Sequence, residues 1–508
     1  MLVQAFLENS ADRLPGKIAL ICGDQRLTYS EVEARANCLA NALQARGLRR
    51  GERVVTYLPN SVELAVGIFA TLKAGGVFVV VNHTTKHDKL AYILNNCQAS
   101  ALVTSGHQAD LARQLMQEAS SCRIVILTSP PAPAVELFDY LALPAIESEF
   151  SPERPSRFNV DLDLACLIYT SGSTGDPKGV MSDHSNMVFA ASSIIEYLQN
   201  REDDIIIDVL PLSFDYGLYQ LLMAFKLGGT LVLEKGFAYP AMVLKRMEEE
   251  QVTGFPGVPT LFAVLLQMDL SPYDLSSLRY ITNTAAALPA SHITQIRKKF
   301  PWAKLYSMYG LTETKRTLYL PPDQLDVRPG SVGVAIPGTE VWIEDEQGNR
   351  LGPGQVGELV VRGRHVMRGY WGDPVATAER FRPGPIPGER VCYTGDLFRM
   401  DAEGYLYFVS RKDDIIKSRG EKVAPKEVEA VLYGLPGVVE AAVVGVPHPV
   451  LGQAIKAFVV LGDVELTQAD VLKYCRANLE DLMVPKYVEF CKELPKTSSG
   501  KIKKTDLR

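Results

Sequence analysis

A stretch rich in glycine and hydroxyl residues follows the apolar segment LACLIY and has the composition of a phosphate-binding loop. It is TSGSTGDPKG, from Thr170 to Gly179. Glycines let backbone N–H groups approach an anion, the hydroxyls add donors, and Lys178 supplies a positive charge. The Walker A pattern GxxxxGK[ST] is absent, and a linker can have a similar composition. The stretch on its own therefore indicates phosphate binding or a linker.

One carboxylate, Asp215, lies in the apolar stretch LSFDYGLY at 212–219. An ionised carboxylate is costly to bury unless a cation or hydrogen-bond donors meet it. One interpretation is a helix N-cap, because a helix is predicted from about residue 217 and Asp is common at that position. The other interpretation is that the positive partner belongs to a bound ligand rather than to the protein.

The composition describes an ordinary globular protein of more than one unit. The chain has 508 residues, of which 47% are hydrophobic and 22% are charged. The net charge of −6 offers no basic excess for binding nucleic acid. The eight cysteines form no CxxC pair and show no metal-ligand spacing, which predicts reduced thiols.

Neither a signal peptide nor a membrane span is predicted. The N-terminus lacks a basic segment followed by an apolar one. The apolar region at 61–81 contains Glu63, Lys73 and two glycines, and favours a buried helix and strand. We therefore expect a cytoplasmic protein that does not bind membranes.

Helical patterns alternate with β-branched runs from about 30 to 250, which predicts an α/β fold with helix-flanked sheets. From about 318 to 410 short strands with glycine and proline turns predict a β-rich subdomain. The last hundred residues predict a small α+β domain. We place the boundary near residue 411, giving an N-terminal domain of 1–411 and a mobile C-terminal domain of 412–508.

Further motifs occur in the order known from one superfamily. They are LTYSEVEARAN at 27–37, LKAGG at 72–76, YGLTET at 309–314, GELVVRG at 357–363, YTGD at 393–396, RKDD at 411–414 and KTSSGKI at 496–502. Together with TSGSTGDPKG, they resemble the adenylate-forming superfamily. This superfamily contains acyl-CoA synthetases, the adenylation domains of nonribosomal peptide synthetases, and firefly luciferase.

The resemblance implies ATP and Mg²⁺ as cofactors. Tyr309 would stack on adenine, Thr312 would contact the α-phosphate, and Asp396 would accept both ribose hydroxyls. Arg411 would approach the ribose and phosphate, and Glu313 would hold Mg²⁺. The nucleotide-binding residues implied are Thr170, Ser171, Gly172, Ser173, Thr174, Gly175, Lys178, Thr284, Ala285, Tyr309, Gly310, Thr312, Asp396 and Arg411.

The implied catalytic residues are Lys501, Thr174 and Glu313, with Lys501 entering the active site from the mobile domain. Asp413 occupies the hinge position of the family, and Ser410 stands where most relatives have glycine. Lys417 and Gly420 would face the thiol in the second half-reaction.

The implied reaction has two halves. The substrate carboxylate attacks the α-phosphorus of ATP, and pyrophosphate leaves as an acyl-adenylate forms. A thiol then attacks the adenylate and AMP leaves. Mg²⁺ at Glu313 and the ammonium of Lys501 would offset the repulsion between the carboxylate and the polyphosphate.

Phe214 and Asp215 resemble the amino-acid-activating branch of the superfamily. Many acyl- and aryl-CoA ligases have a histidine in a PLFH segment at this point, whereas amino-acid adenylation domains have FD, with the aspartate on the α-ammonium. The substrate-binding residues implied are Phe214, Asp215, Tyr216, Tyr219, Pro256, Ile281, Asn283, Met308, Arg316, Thr317 and Lys501.

Two tyrosines and a proline predict a small cavity that suits a compact amino acid such as L-proline. Asn283 and Arg316 do not fit a purely apolar pocket; they would recognise a polar side chain or point away. The chain ends after the lysine motif, so the thiol is expected on a separate carrier protein bearing phosphopantetheine. The alternatives are an AMP-forming acyl- or aryl-CoA synthetase that uses CoA, and, more remotely, an inactive nucleotide-binding regulator.

Overall fold

The computed structural model describes residues 1–131, 139–170, 177–284, 286, 288–418, 421–448, 451–462, 464–481, 483–497 and 501–507. The helices are α1 Ala5–Arg13, α2 Tyr29–Ala45, α3 Val62–Lys73, α4 His87–Asn96, α5 Ala109–Glu118, α6 Leu143–Glu149, α7 His184–Leu198, α8 Asp215–Leu227, α9 Pro240–Glu249, α10 Pro259–Gln267, α11 Ala290–Lys299, α12 Pro374–Arg380, α13 Pro425–Tyr433 and α14 Gln468–Asn478.

The strands up to residue 309 are β1 Ile18–Cys22, β2 Gln25–Thr28, β3 Arg53–Tyr57, β4 Val77–Val81, β5 Ala99–Thr104, β6 Ile124–Leu127, β7 Leu141–Ala142, β8 Leu164–Thr170, β9 Lys178–Asp183, β10 Ile205–Asp208, β11 Thr230–Leu233, β12 Gly254–Gly257, β13 Tyr280–Asn283 and β14 Lys304–Tyr309. The later strands are β15 Leu318–Leu320, β16 Val334–Ala335, β17 Glu340–Glu344, β18 Val356–Arg362, β19 Phe381–Pro383, β20 Arg390–Met400, β21 Leu406–Arg411, β22 Ile416–Ser418, β23 Glu421–Val423, β24 Val438–His448, β25 Gly452–Leu461 and β26 Tyr487–Phe490.

Two large, mostly parallel sheets contain most strands of the first 335 residues. Their strand orders are β16-β15-β14-β13-β12-β10-β11-β1-β2 and β7-β6-β5-β3-β4-β8-β9. Antiparallel strands occur only at the ends of these orders within the described residues: β2, β15 and β16 in the first sheet and β9 in the second. The predicted α/β fold with helix-flanked sheets is confirmed.

Helices α3 and α8 link the two large sheets. Both helices are buried on nearly all sides. Helix α3 packs on β3 and β4, whereas α8 packs on β10 and β11. Their Phe69 and Phe225 rings stack with centroids 5.1 Å apart. The apolar region at 61–81 is thus a buried helix and strand, as predicted. Within the described ranges, no helix has the length and hydropathy needed to cross a membrane.

Two smaller sheets contain the remaining strands. One has the order β17-β18-β20-β19 with β21 on β20, and the other has the order β23-β22-β25-β24 with β26 on β25. The predicted β-rich segment begins later than residue 318, because β15 and β16 extend the first large sheet instead. Strand β21 ends at Arg411 and β22 belongs to the next sheet, while the division into two domains near residue 411 stays a prediction.

The first large sheet brings several chain segments to one edge. Strands β10, β12, β13 and β14 are parallel, so their carboxyl ends lie together. Ligands of open parallel sheets bind outside this edge. The stretches that follow these strands begin at Val209, Val258, Thr284 and Gly310.

The opposite edge of the same sheet is fastened by Asp204, which directly precedes β10. Its carboxylate accepts from Arg279 Nη2 at 2.6 Å and from Thr253 Oγ1 at 2.8 Å, so it ties three strand starts together. Asp204 is buried. Its position predicts a role in stability and none in ligand binding.

We expect Asp204→Ala to lower the free energy of unfolding by about 3 kcal/mol, because the substitution leaves Arg279 without its buried carboxylate. Urea denaturation followed by circular dichroism measures the change. Asp203→Ala, at the adjacent exposed position, is the matched control. Equal unfolding midpoints for the two variants would contradict the role of Asp204.

Candidate active site

The predicted phosphate loop connects two antiparallel strands, β8 and β9. Thr170 at the end of β8 pairs with Lys178 at the start of β9. The ammonium of Lys178 lies 5.4 Å from the centre of the Tyr370 ring and 3.5 Å from Asp373. The predicted residues Ser171, Gly172, Ser173, Thr174, Gly175, Ala285 and Gly420 lie outside the described residues, as do the side chains of Asp413 and Lys417.

Tyr370 links Lys178 to the predicted metal ligand. Its hydroxyl donates to Glu313 Oε1 at 2.6 Å, and Arg380 donates to the same hydroxyl at 3.4 Å. Burial and the neighbouring Glu313 carboxylate raise the pKa of Tyr370, so the phenol keeps its proton and remains a donor.

The donor chemistry at Glu313 fits Mg²⁺. This ion is commonly held by one or two carboxylates together with the phosphates of a substrate. Lys178 and Arg380 lie beside the same tyrosine, so the surroundings also suit the remaining negative charge of a polyphosphate.

The predicted ribose ligand Asp396 lies across a strand pair from Arg411. Its Oδ2 accepts a hydrogen bond from the Tyr309 hydroxyl at 2.7 Å, and Arg411 Nε is 3.8 Å from its Oδ1. Burial raises the pKa of Asp396, while the Arg411 charge acts in the opposite direction. Tyr309 packs edge-on against Phe398 at 4.9 Å. The structure thus brings Tyr309, Asp396 and Arg411 together.

Ser410, the departure from glycine at this point, does not require a glycine conformation. Its φ lies outside the positive range, and its hydroxyl donates to the carbonyl of Arg411 at 3.0 Å. Whether the backbone at Asp413 acts as a hinge stays a prediction.

The turn from Tyr309 to Thr317 carries three charged residues of the site, Glu313, Lys315 and Arg316. The N–H of Thr317 donates to the carbonyl of Tyr309 at 2.9 Å, and the Thr314 and Thr317 hydroxyls are 2.7 Å apart. A Cβ on Gly310 would come within 2.0 Å of the Lys315 carbonyl oxygen, so only glycine fits there. Lys315 itself has a left-handed backbone with φ of 56°.

Lys315 forms a buried ion pair with Asp215. Its Nζ lies 2.5 Å from Asp215 Oδ1, the lysine side chain is 0% exposed, and the aspartate side chain is 9% exposed. Asp215 is the first residue of α8, and the N-cap position belongs to Phe214. A negative charge in the first turn also suits the helix dipole.

Both interpretations of Asp215 drawn from sequence are therefore corrected. It is not the N-cap, because the helix begins at Asp215 and not at about residue 217. Its positive partner belongs to the protein, so the aspartate does not need a ligand ammonium. A long-range contact between residues 215 and 315 leaves no local pattern in sequence.

A cavity of about 90 Å³ lies at the carboxyl edge of the first large sheet. Of the predicted substrate residues, the structure brings Phe214, Asp215, Tyr216, Arg316 and Lys501 to its wall, together with the predicted nucleotide ligands Thr284, Gly310 and Thr312. The wall residues missed by the sequence prediction are Leu210, Pro211, Gly217, Val258, Leu311 and Lys315. The sequence did contain one signal for these missed residues. It is the adjacent basic pair Lys315–Arg316 in the 309–317 turn, which has one other charged residue, Glu313.

The other predicted substrate residues are not among those that line the cavity. Asn283 donates to the carbonyl of Ala286 at 3.1 Å, and the Met308 sulfur accepts from the Tyr197 hydroxyl at 2.8 Å. Tyr219 is fully buried in α8. Pro256, Ile281 and Thr317 are also buried.

Lys501 reaches the same cavity from the C-terminal part of the chain. Its backbone N–H donates to Thr497 Oγ1 at 3.1 Å, which fixes the segment. Burial and the charge of Arg411 lower the pKa of Lys501, while Asp396, Glu313 and Asp215 act in the opposite direction. The Lys501 ammonium is therefore within electrostatic reach of the proposed nucleotide ligands.

We expect Lys315→Met to lower the free energy of unfolding by about 3 kcal/mol, because Asp215 is left buried and unpaired. The double variant Asp215→Asn, Lys315→Met should recover most of the loss, since neither charge remains. Urea denaturation of the wild type, both single variants and the double variant measures the coupling. Strictly additive effects would contradict the ion pair.

The family model of AMP-binding enzymes matches residues 7–371, and the model of the AMP-binding enzyme C-terminal domain matches residues 427–501. A feruloyl-CoA synthase from Amycolatopsis sp is 35% identical over 499 residues, covering 97% of this chain and 96% of that protein. A long-chain-fatty-acid–CoA ligase from Bacillus subtilis (strain 168) is 32% identical over 528 residues, covering 98% of this chain and 93% of that protein.

A solved structure of an anthranilate CoA ligase in complex with anthranoyl-AMP has a TM-score of 0.91 to this chain at 28% identity. The match covers 100% of this chain and 96% of that chain. The resemblance at the superfamily level is thus confirmed. The chain belongs to the AMP-binding enzyme family and is an AMP-forming ligase.

Proposed function

We propose that this enzyme joins a compact organic acid to CoA through an acyl-adenylate. The acid's carboxylate attacks the α-phosphorus of ATP, an oxygen–phosphorus bond forms, and pyrophosphate leaves. The CoA thiolate then attacks the acyl carbon, and AMP leaves with the acid's former oxygen. The proposal replaces amino-acid loading of a carrier protein, which the FD segment favoured.

The observation that carries the proposal is the ion pair between Asp215 and Lys315. An amino-acid clamp needs a carboxylate whose charge is available to the ligand. Asp215 already has a cation 2.5 Å away. Inserting a substrate ammonium would add a positive charge next to Lys315 and Arg316, which is unfavourable in a buried site.

The named relatives support the same choice of acceptor. The curated proteins and the solved structure reported above are named as CoA ligases or synthases. An acceptor thiol on CoA agrees with these names, whereas an amino-acid substrate and a carrier-protein partner have no support among them.

The size of the cavity favours a compact acid. Ligand sites for drug-sized molecules measure roughly 300–1,000 Å³. The cavity here measures about 90 Å³, and bulky Phe214 and Tyr216 side chains form part of its wall. A short or single-ring acid suits this space better than a long acyl chain.

The residues around the cavity have separable roles in the proposed adenylation. Asp396 and Tyr309 hold the ribose and adenine side, and Lys178 faces the phosphates. Mg²⁺, when bound with the nucleotide at Glu313, supplies charge neutralisation on the phosphates. Lys501 stabilises the negative charge that develops where the carboxylate meets the α-phosphate. No side-chain nucleophile is required, because the two reactants need only be positioned.

The proposed function predicts that organic acids without an α-amino group stimulate ATP–pyrophosphate exchange, and that added CoA yields the corresponding thioester. Exchange across matched pairs, such as an acid and its α-amino derivative, measures the preference, and chromatography identifies the thioester. Exchange that responds only to amino acids, with no CoA thioester, would overturn the proposal.

Replacing Lys501 by Ala should reduce the rate of adenylation by about 10²–10³-fold, the usual effect of removing one transition-state donor. Lys503→Ala is the matched control, because Lys503 pairs with Asp506 at the chain surface. Single-turnover pyrophosphate release measures both variants. An unchanged rate in Lys501→Ala would remove this lysine from the mechanism.

A further inference from the structure

Arg316 is a buried cation for which the described residues provide no carboxylate partner. The residue is 4% exposed, and its Nε has no hydrogen-bond partner. Across the part of the chain that the structure describes, no carboxylate lies within 4.0 Å of its guanidinium. A buried guanidinium without a carboxylate partner is unfavourable unless a bound anion neutralises it.

The neighbours of Arg316 are aromatic rather than acidic. Its guanidinium lies 4.6 Å from the centre of the Tyr216 ring, and its charge lowers the pKa values of Tyr197, Tyr216 and Tyr219, which burial raises. A cation–π contact offsets only part of the desolvation of a guanidinium. The Tyr219 hydroxyl is also buried without a hydrogen-bond partner.

The nearby carboxylate is already engaged. Asp215 lines the same cavity, but it is paired with Lys315, the residue next to Arg316 in the chain. The wall of the cavity therefore has three cations, Lys315, Arg316 and Lys501, against this one carboxylate. Lys501 lies within electrostatic reach of Asp396 and Glu313 as well as of Asp215, and it is the cation that the proposed function uses in adenylation.

Arg316 is thus the cation without a role in the reaction at the nucleotide. It lines the cavity beside Tyr216 of α8, and the proposed function places the body of the acid in this cavity. A neutral substrate would leave the guanidinium unpaired, and an ammonium would repel it. A carboxylate would satisfy it with two parallel N–H···O bonds, the geometry that the planar guanidinium favours.

We infer that the acid activated by this enzyme carries a second carboxylate, and that Arg316 binds it. The inference rests on the proposed function and specifies its substrate class as short or single-ring dicarboxylic acids. One carboxylate enters the adenylation reaction, and the other remains ionised against Arg316.

The inference is tested with acids that differ only in the second carboxylate. The probes are malonate, succinate, glutarate and phthalate, each compared with its monoamide, which keeps the shape and loses the charge. ATP–pyrophosphate exchange gives kcat/KM for each acid, and CoA thioester formation identifies the product. We expect the wild type to prefer at least one diacid over its monoamide by about 100-fold, the scale of a buried ion pair at a binding site.

The variant Arg316→Met should abolish this preference by lowering kcat/KM for the diacid while leaving or raising that for the monoamide. Arg316→Lys should keep part of the preference, because it keeps the charge without the planar fork. Arg297→Met is the matched control, since Arg297 is partly exposed in α11 and pairs with Asp326 outside the cavity. Its acid preference should equal that of the wild type.

A second measurement does not depend on the choice of acids. If the role of Arg316 is to bind a ligand, the ligand-free Arg316→Met protein should have the same melting temperature as the wild type or a higher one. The reason is that the substitution removes a buried unpaired charge. A fall of several degrees would show that Arg316 supports the fold, and would overturn the inference.

The outcomes separate the inference from the proposed function. Wild-type exchange and thioester formation with monoamides and simple monoacids at rates equal to those with diacids would overturn the inference and leave the proposed function standing. A preference that survives in Arg316→Met would do the same. A folded wild type that activates none of these acids or simple monoacids would count against both.

Discussion

The arrangement of the site depends on the buried ion pair between Asp215 and Lys315. It fastens the first turn of α8 to the Tyr309–Thr317 turn, two segments that are distant in sequence. Because the pair is short and shielded from solvent, breaking it exposes one buried charge to an apolar surrounding. The positions of Arg316, which follows Lys315, and of Tyr216, which follows Asp215, are set by the same contact.

The Tyr309–Thr317 turn accommodates this contact through two backbone features. Gly310 packs closely against the backbone carbonyl of Lys315, and Lys315 has a left-handed backbone conformation. Such a conformation is unusual for a lysine and persists where the surrounding contacts determine it. Of the three charged residues in this turn, Lys315 and Arg316 line the cavity and Glu313 does not.

Much of the fold could be predicted from the sequence. Short contiguous motifs also identified residues that meet in space, while their roles toward a nucleotide stay predictions. The alternation of helices and strands predicted the α/β fold, and Tyr309, Asp396 and Arg411 do meet. The acid side could not be predicted in the same way. Its decisive contact joins positions 215 and 315. The strand residues Ile281 and Met308 are buried without lining the cavity, and periodicity cannot distinguish these two cases.

Binding of a carboxylate at Arg316, as inferred above, would also link the folding of the enzyme to its metabolic surroundings. A protein that holds an unmatched buried charge is less stable empty than it is when an anion neutralises that charge, and any ligand that binds only the folded chain shifts the folding equilibrium by mass action. Unfolded chains are removed by proteases, so a modest shift changes abundance. The cellular lifetime of this enzyme would then follow the supply of its acid.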